Sequence, residues 1–256
     1  MKNMNKISNK KHWELVMHKD NLNPIIKTLN NFYKKEEYKI FKEYVKDWEN
    51  KKTFFEIWAA PWLYWAIFKK YFSYIPWWIE YTNNWFNCIK ELFKNLNYES
   101  NNFIKWDFLK INIDKKYDIV FSAWFIEHFK NYEIIIKKHI DILKKWWKVI
   151  IIIPNYHYYF KFFQEFLYKW LMKEQHVTEI MNLKKFEFIC KKIALKNKIK
   201  IHTISWFWNA RFWQLVSKNK WIQKIIYWLD LLFEKTKLYN LLPKDYSSLI
   251  FIWEKL

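Results

Sequence analysis

Glycine is missing from this chain. None of its 256 residues is Gly, while 19 are Trp. Ordinary chains carry about 7% Gly, so its absence by chance has a probability on the order of one in a hundred million. The absence excludes turns and ligand cradles built on a residue without a side chain, unless another residue stands there. Arginine is nearly missing too, with Arg211 alone. Only Cys88 and Cys190 are available as thiols, far apart, which excludes a disulfide framework and a cysteine metal motif. The longest aliphatic run, Val149 to Ile153, is too short to span a bilayer. The opening MKNMNKISNKKHW has no apolar segment of a secretory leader, and a reduced, cytoplasmic setting is expected.

What is present explains the first absence. Trp146-Trp147 stands between the helix-like IIIKKHIDILKK and the strand-like KVIIIIP, where a helix end and turn ask for Gly. Trp106 precedes Asp107 after NFIK, and Trp253 interrupts the terminal run SLIFIWEKL. Most of the tryptophans stand where a parent protein has glycine. Two origins fit: a UGA codon read as Trp where the source reads it as Gly, or a deliberate global substitution. Asn, Ile, Phe, Tyr and Lys dominate, as an A/T-rich coding sequence produces, and this favours the codon. One or two positions, Trp13 among them, are candidates for true tryptophan.

The formal net charge is +20. Such an excess is also the footprint of a nucleic-acid binder. Here it is nearly all Lys, scattered rather than clustered, as codon bias would leave it.

The apolar pattern gives the architecture. Residues 1–50 read as a helical cap, IIKTLNNFYKKEEYKIFKEYVKDW having helical spacing. From Thr53, strand-like TFFEI, YIPWWIE, NFIKW, YDIVFSA and KVIIIIP alternate with helix-like LYWAIFKKYF, NNWFNCIKELFKNL and EIIIKKHIDILKK. That alternation predicts a mostly parallel sheet wound by right-handed crossovers, an α/β domain over 51–256. Two insertions interrupt it. One is aromatic-rich, at about 155–177, and the other is helical, at about 210–245. Between them lie a helix, LKKFEFICKKIALK, and a strand, KIKIHTISW; SSLIFIWEKL is the last strand.

Acids end the early strands. With Gly at 58 and 62, the first strand ends in Glu56 and a turn Gly-Ala-Ala-Pro-Gly entering a helix. Glycine there permits positive φ and lets the backbone approach a ligand at the helix N-terminus. Glu80 ends the second strand, where an acid can accept both ribose hydroxyls of a nucleoside. Asp107 follows the third, within reach of an adenine edge, or serving as a helix N-cap. Glu127-His128 follows the fourth; His128 is either a general base or a residue that shapes the loop. His157 and His176, in the aromatic insertion, are weaker candidates. Dinucleotide dehydrogenases share strand, glycines and acid, but the third glycine of G-x-G-x-x-G has no counterpart here.

Over about residues 50–254 this series resembles the class I S-adenosylmethionine-dependent methyltransferases. The resemblance rests on Glu56 to Trp62, Glu80, Asp107, the run Tyr117 to Ala123 leading to Glu127-His128, and the turn Leu143 to Lys148. It implies a Rossmann-like seven-stranded sheet of order 3-2-1-4-5-7-6 with the last strand antiparallel. It implies S-adenosyl-L-methionine as cofactor, held by Glu56, Trp58, Ala59, Ala60, Pro61, Trp62, Glu80, Tyr81, Asp107, Phe108, Ser122 and Ala123. No metal is expected. Methyl transfer from a sulfonium is an in-line displacement, in which the protein aligns the acceptor and removes water. The aromatic insertion favours a small, lipid-linked or glycan-linked acceptor. RNA methylation is the alternative, and a non-catalytic binding protein is a third reading should the tryptophans be genuine.

Overall fold

A computed structural model describes residues 26, 29–45, 51–59, 63–98, 102–156, 176–207 and 248–256, with isolated helical positions between 221 and 236. Seven strands form one sheet: β1 (Thr53–Ile57), β2 (Ile75–Glu80), β3 (Phe103–Lys105), β4 (Tyr117–Ala123), β5 (Leu143–Pro154), β6 (Ile199–Phe207) and β7 (Ser248–Lys255). Their order is β3-β2-β1-β4-β5-β7-β6. Strands β1 to β5 pair in parallel, and β7 runs antiparallel to both β5 and β6. The expected topology is therefore found.

The strands form where short apolar runs are bounded by acids, Asn and Lys. All seven residues of β4 are buried, as are four of the five in β1, which a sheet covered on both faces requires. Helices α2 (Tyr64–Phe72), α3 (Asn83–Asn95), α4 (Tyr132–Asp141) and α5 (Leu183–Asn197) follow β1, β2, the turn after β4, and β5 respectively. Before the sheet, α1 (Glu36–Tyr44) packs into the same core. Phe41 meets Phe68 and Phe121 at ring centroid distances of 5.2 and 6.3 Å, and the Tyr64 hydroxyl donates to Glu37 Oε1 at 2.9 Å. The described part of the expected cap is thus continuous with the sheet's core.

One boundary differs from the sequence pattern. The helix before β5 ends at Asp141, and β5 already begins at Leu143, opposite Tyr117. Pairing then jumps to Ile119 with Lys148, so residues 144–147 bow out of the ladder. Trp146, at the apex, has φ 66°. The detour is the turn that the Trp-Trp pair marks, displaced into the strand's first third.

Parallel order reverses between β1 and β4: the chain runs outward through β2 and β3 on one side and through β5 on the other. Such a switch point opens a crevice at the carboxyl ends of the central strands. Among the described residues no helix is long and apolar enough to cross a membrane.

Candidate ligand site at the strand ends

Four strand ends build the site. The Trp58 N–H donates to the Ile79 carbonyl at 3.0 Å, extending the β1–β2 ladder one residue past β1. Trp58 then turns with φ 59°, in the left-handed region that bulky residues rarely occupy. Strand β4 leaves in the same way. The Trp124 N–H donates to Ile152 O at 2.8 Å, and its φ is 51°. Both central strands therefore enter the crevice through a left-handed tryptophan.

Glu56 is buried beneath the first of these turns. Its Oε2 accepts the backbone N–H of Trp65 at 2.7 Å, where the first turn of α2 leaves donors unsatisfied. Oε1 is buried with no hydrogen-bond partner among the described residues. Burial drives its pKa well above the usual carboxylate range; the backbone N–H groups of Trp65 and Tyr64 oppose this, and the charge of Glu80 adds to it. Ala59 is buried beside it, while Ala60, Pro61 and Trp62 lie outside the described residues.

Glu80 is buried at the end of β2. Its Oε1 accepts the N–H groups of Tyr81 and Thr82 and the Thr82 hydroxyl, at 2.9, 2.8 and 2.9 Å. These bonds fix the carboxyl plane at the crevice. Asp107 caps the turn after β3, its Oδ1 accepting the Leu109 N–H at 3.0 Å. No helix follows Asp107, so the bond closes a local turn and is not a helix N-cap. Lys138 on α4 anchors the same turn by donating to the carbonyls of Phe108 and Ile111.

Phe108 closes the wall between β3 and β4. Its ring meets Phe125 and His139 edge-on at 6.0 and 5.5 Å. Ser122, in β4, is engaged from behind: its Oγ lies 2.9 Å from His139 Nε2, and Nδ1 of that ring lies 2.8 Å from the Ile135 carbonyl. A carbonyl only accepts, so Nδ1 carries the proton and the Ser122 hydroxyl donates to Nε2. Burial pushes the His139 pKa down to about 4. No local pattern marked His139, because its partner belongs to another element. Ala123 is buried beside Ser122.

His128 lies on a short 3-10 turn, Ile126–His128, and is buried. Its ring meets Trp58 at 5.0 Å and His176 at 4.5 Å. His176 therefore joins the strand-end cluster, whereas His157 lies outside the described residues. Glu127 is buried too, and neither carboxylate oxygen has a hydrogen-bond partner among the described residues. The sequence supplied Glu127 and His176 as residues, without the contact between them.

No protein-family model matches this chain, and no curated protein matches it. Solved structures do. Coclaurine N-methyltransferase bound to N-methylheliamine and SAH aligns with TM-score 0.57 and 11% identity, over 90% of this chain and 70% of that one. The plantazolicin methyltransferase in complex with SAH aligns with TM-score 0.53 and 15% identity, over 96% and 97%. Phosphoethanolamine N-methyltransferase 2 of Haemonchus contortus aligns with TM-score 0.51 and 16% identity over 81% of this chain, which spans only 49% of that one. The fold is that of the class I methyltransferases.

Proposed function

We propose that this chain, built on the class I methyltransferase fold, is an S-adenosylmethionine-dependent methyltransferase whose active form carries glycine at the Trp positions (the glycine form). The acceptor in this reading is small, lipid-linked or glycan-linked. One observation carries it: two buried acids stand at the carboxyl ends of adjacent parallel strands at the sheet's switch point, Glu56 one residue before the end of β1 and Glu80 closing β2.

The acids fit the cofactor and the turn does not. Glu80, held by three donors on one oxygen, would accept ribose hydroxyls. Asp107 and Phe108 would border the adenine, and Glu56 would hold the turn by tying β1 to α2. The Trp58 indole, packed on His128 and Phe125, fills space that a glycine would leave to a ligand. The left-handed backbone at Trp58, Trp124 and Trp146 supports glycine at those positions. Trp65, Trp78 and Trp253 support it independently, each buried with an indole N–H that has no partner among the described residues.

When bound, S-adenosylmethionine supplies an electrophilic methyl group. The protein's contribution is alignment and dryness: Phe108, Phe125 and Phe129 wall the crevice with buried rings. His128 would take a proton from a hydroxyl acceptor. A cytoplasmic setting belongs to the same reading, as do a helical cap over 1–50 and insertions at about 155–177 and 210–245.

The test supplies the glycine form with tritium-labelled methyl donor and separate small-metabolite, lipid, oligosaccharide and RNA pools. Label is expected in the small-metabolite, lipid or oligosaccharide pool. Label in RNA that falls steeply with salt would overturn the acceptor assignment.

A further inference from the structure

Glu127 presents a contradiction that hydrogen bonding does not resolve. Its side chain is fully buried, and both carboxylate oxygens lack a partner among the described residues. An ionised carboxylate there would be desolvated and unpaired. A neutral carboxyl would carry an O–H with no acceptor, which is also unfavourable. A cation resolves both cases.

Two imidazoles stand where such a cation needs them. His128 and His176 are buried, their ring centroids 4.5 Å apart. One ligand atom from each of Glu127, His128 and His176 lies within 4.8 Å of the others. A backbone bond holds the third residue in place: the Val177 N–H donates to the Glu127 carbonyl at 2.6 Å. We propose that Glu127, His128 and His176 form a binding site for a divalent transition-metal cation.

The donor set selects the metal class. Two imidazole nitrogens and one carboxylate suit zinc, iron, manganese or cobalt better than calcium or magnesium, which prefer all-oxygen shells. Bonds of about 2.1 Å keep ligand atoms within about 4.2 Å of each other, so a set already within 4.8 Å needs only small side-chain adjustments to close on a cation. Three protein ligands also leave a coordination position open. Beside the turn at residue 58, that position would take an oxygen of the acceptor and lower its pKa. This last role rests on the methyltransferase reading and would replace His128 as base there, since a coordinated imidazole keeps no lone pair for a proton; the cation site itself does not rest on that reading. The expectation of no metal is revised here: two of the ligands are adjacent and the third is remote, a spacing no familiar motif marks.

The experiment is a titration of the full, chelator-stripped chain with Co²⁺, read by visible d–d absorption, followed by displacement with Zn²⁺. One equivalent of Co²⁺ is expected, with bands of low-symmetry nitrogen and oxygen ligation. Glu127→Gln and His176→Gln should each weaken binding by at least about tenfold, the scale set by outer-shell losses alone. His202→Gln, remote from the cluster, should leave it unchanged. Should a variant fail to fold, the parent chain still decides: Zn²⁺ must raise its unfolding midpoint. Absence of stoichiometric binding by the folded parent, or full binding by folded Glu127→Gln and His176→Gln, overturns the site. S-adenosylhomocysteine binding measured separately on the glycine form reports on the methyltransferase reading, so failure of the cation site and failure of that reading are distinguishable.

Discussion

Glu56 on β1 accepts the backbone N–H of Trp65 on α2 at 2.7 Å, so one buried carboxyl joins the strand to the helix that follows its turn. Burial raises its pKa well above normal, against the opposing N–H bonds. The unfolded carboxyl titrates near about 4.3. A raised folded pKa contributes stability that is complete below that value and is lost as pH rises through the folded one. Glu56→Gln abolishes this loss. Chemical denaturation should show the variant's stability relative to the parent increasing as pH rises above about 4.3, then levelling off. A constant difference across pH would contradict the assignment.

Trp146 isolates the effect of the backbone. Its φ is 66° and its side chain is 64% exposed, so the indole buries little to offset a left-handed conformation. Trp146→Gly should stabilise the fold by about 1 kcal/mol. That is a rise of about 2–4 °C in thermal midpoint for a chain of this size. Trp146→Ala, which removes the ring and keeps the Cβ, should gain much less.

The fold was legible in the sequence and the contacts across it were not. TFFEI and YDIVFSA match β1 and β4 residue for residue, because doubly buried parallel strands are short apolar runs with sharp ends. The positions of Glu56, Glu80 and Asp107 at or beside strand ends were legible because a strand end is a definite place in such a sheet. The start of β5 was not: Leu143 pairs with Tyr117 before a bulge that periodicity does not encode. His139 was hidden because KKHID reads as a helix surface, while its ring turns inward to Ser122. The Glu127 and His176 contact needed the tertiary fold.

His139 offers a spectroscopic check on the wall behind the crevice. Its pKa is pushed down to about 4 by burial, and the Ile135 carbonyl fixes the proton on Nδ1. Nitrogen NMR should therefore find a neutral Nδ1–H tautomer that does not titrate between about pH 6 and 8, unlike a free imidazole. Ser122→Ala removes the hydroxyl that donates to Nε2 and should cost about 1 kcal/mol. Titration near the ordinary histidine value would contradict the geometry.

Protein from the natural source decides the identity of the Trp positions. Its tryptic peptide Thr53 to Lys69 carries Trp58, Trp62 and Trp65. Mass spectrometry should find it lighter by the Trp-to-Gly difference at each converted site. An unshifted mass would make the tryptophans genuine and favour a binding role without catalysis.

The most direct measurement is a calorimetric titration of S-adenosylhomocysteine into two chains, the Trp-bearing chain and its glycine form. The Trp58 indole lies against His128 in the first and is absent from the second. One molar equivalent should bind the glycine form, weakened at least about tenfold by Glu80→Ala, since loss of a charged hydrogen-bond acceptor costs about 1.5–3 kcal/mol. The chain as written should show no binding. A folded glycine form that takes up no ligand would contradict the methyltransferase account, and tight stoichiometric binding by the Trp chain would contradict the role given to residue 58.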